Sequence, residues 1–128
     1  MKQKKRKILI VDDSPAFTKM IKRTMEANGN YEVWEENHAK WALETARTVD
    51  PDLILLDVIM PAMDGGDVLS QFRDDPVLRN IPVIFLTASV RKTEVSQHNG
   101  TIGGNFFIAK PVGAEELIEC IERRLGAC

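Results

Sequence analysis

Three stretches of the chain are almost wholly apolar: residues 8–11 (ILIV), 53–56 (LILL) and 81–86 (IPVIFL). Runs this short, with no polar face, suit central strands of a parallel sheet covered by helices on both sides. Each run gives way to a polar residue: Asp12, Asp57 and Thr87 in turn. A further run, 106–109 (FFIA), ends on Lys110, and the more mixed 31–35 (YEVWE) reads as an edge strand. Helical patterns fill the gaps. Ser14-Pro15 is a helix start, with a serine cap and a proline in the first turn. Phe17, Met20, Ile21, Thr24 and Met25 follow at helical spacing, and Gly29 closes the helix. Ala39, Ala42, Leu43 and Ala46 form a second face, and Val68, Leu69 and Phe72 a third. Leu117, Ile118, Ile121 and Leu125 form the last, after Glu115 and Glu116, whose charges suit a helix N-terminus. Residues 90–104 are weak in apolar positions and carry Gly100, Gly103 and Gly104, so a short or mobile helix is expected there.

This alternation predicts an α/β fold, a doubly wound sheet of five parallel strands with right-handed crossovers. No repeat or linker interrupts it. Residues 1–128 read as one domain, with a basic tail at 1–6. In such sheets ligands sit beyond the carboxyl ends of the strands, where the polar residues above fall.

Composition narrows the class. With 128 residues, 44% hydrophobic and 28% charged, the chain can bury one core without disulfides or a structural metal. A net charge of −2 argues neither for nor against nucleic acid as a partner, and no direct nucleic-acid binding is expected. The basic start, MKQKKRK, is followed by only the apolar run 8–11, too short for a signal peptide. It reads as a solvated tail, with contact to phosphate or lipid the alternative. No run approaches the ~20 apolar residues of a membrane span. On one helix, Cys120 and Cys128 would lie more than two turns apart, too far to bridge. Free thiols and a cytoplasmic location are therefore expected.

The chemistry concentrates at the strand ends. Asp12, Asp13 and Asp57 converge if the first and third strands are neighbours, and acids this close call for a cation. Oxygen ligands without nearby His or Cys suit Mg²⁺ better than zinc. The bland alternative, that Asp12 and Asp13 only cap the first helix, is weakened because Ser14 already holds the cap. Lys110 adds a positive charge and Thr87 a hydroxyl at the same sheet edge. With Mg²⁺ they can neutralise a phosphoryl group in transfer, and a carboxylate can accept that group. Asp57, central by strand position, is the expected nucleophile. Taken singly, a strand-end Thr or Lys is more often an ordinary surface group. The force lies in their all falling at one sheet edge.

Residues 8–14 (ILIVDDS), 55–65 (LLDVIMPAMDG), Thr87-Ala88 and Lys110-Pro111 together resemble the receiver domain of two-component response regulators, over nearly the whole chain. The resemblance implies the flavodoxin-like strand order 2-1-3-4-5. It implies that Asp57 takes a phosphoryl group from a sensor histidine kinase or a histidine phosphotransfer protein. It implies Mg²⁺ held by Asp13, Asp57 and the backbone carbonyl of Ile59, with Asp12 acting largely through water. Lys110 would pair with the phosphoryl group. Thr87 would move to meet it, with Phe107 as the switch aromatic. The surface of the fourth helix, fifth strand and last helix would then engage an output partner or domain, with phosphorylation-dependent homodimerisation a further expectation. Such a chain is not an enzyme toward other substrates; it catalyses only its own phosphorylation and dephosphorylation. Both a stand-alone receiver and a piece of a longer regulator fit.

Three departures stand out. Position 107 is Phe where many relatives have Tyr. Ile59 and Ser89 sit where the family tunes phosphoryl lifetime, and apolar Ile59 predicts slow dephosphorylation. The fourth helix is polar and glycine-terminated. Gly65 is expected to serve a turn, Met60 to pack, and His98 to be exposed. Trp34 and Trp41 are expected on the second strand and second helix, away from Asp57. A haloacid-dehalogenase-type phosphatase would place two acids two residues apart, whereas Asp12 and Asp13 are adjacent. A flavodoxin-like electron carrier would need a Ser/Thr/Gly-rich phosphate loop where this chain has acids.

Overall fold

The computed structural model describes residues 5–58, 60, 65–87, 101–102, 105–109 and 113–125. Its strands are β1 (Arg6–Val11), β2 (Tyr31–Glu36), β3 (Leu53–Asp57), β4 (Val83–Thr87), β5 (Thr101–Ile102) and β6 (Asn105–Ala109). Its α-helices are α1 (Pro15–Glu26), α2 (Ala42–Val49), α3 (Gly65–Asp74) and α4 (Ala114–Arg124), with a 3₁₀ turn at Ala39–Trp41 leading into α2.

The sheet order is β2-β1-β3-β4-β6-β5. The first five of these strands run parallel in the order expected from the resemblance. One element was not foreseen: β5, two residues long, pairs antiparallel with β6 at the sheet edge. It lies inside the segment expected to hold a weak helix. Residues 88–100, with Ser89 and His98, lie outside the described residues. The fourth predicted strand also begins later than the apolar run, because the amide of Ile81 donates to the carbonyl of Leu78 in a turn (3.0 Å).

Alternation along the buried strands builds a core on each face. Ile8, Ile10, Leu53 and Leu55 pack with Ile21 and Met25 of α1 and with Leu117 and Ile121 of α4. Leu9, Val11, Ile54 and Leu56 pack with Ala42 and Ala46 of α2 and with Val68 and Phe72 of α3. Helices on both faces leave no side of the central strands for polar residues, hence the all-apolar runs. Ser14 caps α1, its hydroxyl accepting the amide of Phe17 (3.3 Å). The buried stripe of α1 is Thr18, Ile21 and Met25, whereas Met20, expected on that stripe, is 47% exposed. Trp34 lies on β2, and Trp41 ends the 3₁₀ turn just before α2. Cys120 is buried, and desolvation pushes its thiol above the usual range.

Candidate functional site

Strand register brings the strand-end residues together. Val11 pairs with Leu56, so Asp12 and Asp57 occupy the next row of β1 and β3. Asp57 pairs with Leu86 of β4, and Thr87 pairs with Ala109 of β6. The ladder continues one step past each strand: the amide of Asp12 donates to the carbonyl of Glu36 (3.1 Å) and that of Val58 to Leu86 (3.1 Å). Backbone bonding therefore holds the acids in place before any side-chain contact.

Asp12, Asp13 and Asp57 each bring a carboxylate oxygen within 4.8 Å of the others. Asp12 and Asp57 are buried, at 1% and 5% exposure, and Asp13 is exposed. Two full charges this close repel by on the order of 3 kcal/mol near a protein surface. A divalent cation among them turns that repulsion into attraction. The donor set is all oxygen and opens to solvent through Asp13, which fits a hard cation that keeps several waters.

A second layer fixes Asp12. Its Oδ1 accepts the amide of Ser14 (3.0 Å), so the capping turn and the acid share one loop. Its carbonyl accepts Nδ2 of Asn37 (2.8 Å), which also lies 3.1 Å from the hydroxyl of Thr18. That hydroxyl donates to Oε1 of Glu35 (2.7 Å). Neither Asn37 nor Thr18 was singled out from the sequence. The available signal was the spacing of Thr18 with Ile21 and Met25, which puts a hydroxyl on a buried stripe where it needs a partner.

The turn expected at Gly65 involves residues 61–64, outside the described residues, but Gly65 has a further part. It is the first residue of α3, and its amide donates to the carbonyl of Val58 (2.8 Å). A Cβ there would lie 2.6 Å from the carbonyl oxygen of Asp57 and 2.9 Å from Cα of Val58. Glycine is required by close approach of α3 to the end of β3. Met60 is buried in the α2–α3 core, as packing predicts.

The remaining site residues are placed in part. Thr87 ends β4 and Phe107 lies in β6 opposite Phe85, but their side chains lie outside the described residues. Ile59 and Lys110 also lie outside them. No described helix is long and apolar enough to cross a membrane.

Comparison with known proteins bears on this geometry. The sequence signature described as response regulator receiver domain matches residues 8–122. The polar-differentiation response regulator DivK of Brucella anthropi is 35% identical over 119 residues, covering 93% of this chain and 95% of that protein. Among solved structures, the chemotaxis protein CheY4 of Vibrio cholerae superposes with a TM-score of 0.79 at 28% identity, over 94% of this chain and 99% of that one. The receiver domain of the sensor histidine kinase PA1611 from Pseudomonas aeruginosa does so with a TM-score of 0.79 at 26% identity, over 96% and 99%. In that structure a magnesium ion is coordinated in the active-site cleft.

Proposed function

The chain belongs to the response regulator receiver family, and from that premise we propose that Asp57 is its phosphoacceptor. The observation that carries the reading is the meeting of three carboxylates within 4.8 Å at the carboxyl ends of β1 and β3. Asp12, Asp13 and Asp57 would hold Mg²⁺, with the carbonyl of Ile59 as a further ligand. When bound, the ion offsets the charge of the phosphoryl oxygens. A carboxylate oxygen of Asp57 attacks phosphorus as the bond to the donor's imidazole nitrogen breaks, giving an acyl phosphate and a neutral donor histidine. Thr87 and Lys110 supply a hydroxyl donor and a positive charge to the transferred group. The donor is a sensor histidine kinase or a histidine phosphotransfer protein.

In this reading the chain is a switch in the cytoplasm and not an enzyme toward other substrates. Thr87 and Phe107 couple the phosphorylated state to the face carrying β6 and α4, which meets the output partner or a second copy of the chain. Ile59 offers no polar side chain to orient a water, so the phosphoryl group is long-lived.

The test is incubation with acetyl phosphate and Mg²⁺, followed by intact mass. One phosphoryl adduct is expected in the parent chain, absent without Mg²⁺ and absent in Asp57→Asn. Turnover of bulk phosphate ester, or an adduct persisting in Asp57→Asn, would overturn the assignment.

A further inference from the structure

A second feature lies apart from the acidic cluster, on the face where the edge strand β2 meets α2. Four large apolar side chains stand exposed among the described residues, and two of them are Trp34 at 47% and Trp41 at 48%. They line an open groove of about 360 Å³ together with Thr45, Thr48 and Val49. Its charged lining is acidic only: Glu36 and Glu44.

The groove is preorganised. Trp34 Nε1 donates to Oε2 of Glu32 (2.7 Å), which fixes the indole's orientation. Glu36 Oε1 accepts the hydroxyl of Thr45, and its Oε2 accepts the amide of His38 (3.0 Å). Glu44, in the first turn of α2, has no ion-pair partner among the described residues. The Nζ of Lys40 sits over the Trp41 ring, 5.2 Å from its centroid, so this indole already receives a cation at one position.

Two indoles beside the exposed Glu44 carboxylate are complementary to a positively charged, planar group. We propose that this groove docks a partner protein through an arginine side chain. A guanidinium stacks on indole faces and offers a donor fork to a carboxylate, which the compact ammonium of lysine does less well. The groove shares no lining residue with the proposed phosphoacceptor site.

Both tryptophans of the chain lie here, so intrinsic fluorescence reports occupancy directly. Titration with a capped tetra-arginine peptide, checked by calorimetry, should give a saturable change. Tetra-lysine should bind at least about threefold more weakly. Trp34→Ala should weaken binding about tenfold and Glu44→Gln about threefold. Asp57→Asn should leave it unchanged. Glu44→Lys, at an exposed helix position, abolishes binding without depending on how the tryptophan variants fold. No saturable change would overturn the proposal, as would equal affinity in Trp34→Ala and Glu44→Lys. Loss in Asp57→Asn would also overturn it, placing the peptide on the acidic cluster. A concentration-dependent dimer that Trp34→Ala abolishes would overturn it by making the occupant a second copy.

Discussion

The two ends of α3 carry buried carboxylates in opposite settings. At its start, Gly65 presses against the backbone of Asp57, and the neighbours of that acid include Asp12 and Asp13 within 4.8 Å. Just past its end, Asp75, 4% exposed, meets the guanidinium of Arg47 from α2, whose Nε donates to Oδ2 (2.6 Å). Its Oδ1 accepts the amides of Val77 (2.9 Å) and Leu78 (3.2 Å). Burial pushes the Asp75 carboxyl up, but Arg47 and the two amides outweigh it and hold the group below the usual carboxylate range. One end gathers three carboxylates and the other pairs one with a guanidinium. The first arrangement is the one proposed above to take a cation and a phosphoryl group. The second ties the loop between α3 and β4 to α2.

The contrast can be broken most severely at the helix joining the two ends. Phe72 is fully buried under α3, so Phe72→Ala should cost about 3–5 kcal/mol in urea unfolding and disturb both sites together. Gly65→Ala should cost less, about 1–3 kcal/mol, because the contacts at 2.6 and 2.9 Å are with backbone that has to shift. Its damage should fall on one side of the comparison: the rate of adduct formation at Asp57 drops while the Arg47–Asp75 pair survives. Mg²⁺ should sharpen the difference in thermal melts. At ten times its Kd the ion adds about 1.4 kcal/mol to the parent chain. Asp57→Asn should weaken that response to the ion, since it removes one of the three converging carboxylates. Asp75→Asn should lower stability with or without the ion, because it removes the carboxylate that Arg47 meets.

The smallest effect is confined to acid. With its folded pKa below the unfolded value of 3.8, ionised Asp75 lends stability that is fully present above about pH 4. That stability is lost as pH falls through the folded value. The parent chain should therefore lose more stability as pH falls below about 4 than Asp75→Asn does. Parallel acid titrations of the urea midpoint check this.

Local spacing was enough for much of the molecule. The apolar runs and their polar endings located the central strands and put Asp12, Asp13 and Asp57 at one sheet edge. Ser14-Pro15 marked the start of α1, because a cap is chemistry within one turn of chain. Strand order came from the resemblance carried by the motifs, not from the periodicity. Other features depend on how elements meet, and spacing along the chain does not encode that. Arg47 comes from α2 and Asp75 from the loop after α3. Gly65 is needed because α3 begins against the end of β3. Met20 has the helical spacing of a core residue yet faces water, while Thr18 takes the buried place and is satisfied by Glu35 and Asn37 from β2 and the loop beyond it. Trp34 and Trp41 read separately as a strand residue and a helix residue. Only the packing of the edge strand against α2 leaves both half-exposed and facing one groove. The sequence by itself determined which residues can bury and which can carry charge. Tertiary structure decided which of them touch, because contact distances follow from strand register and helix placement over many residues at once.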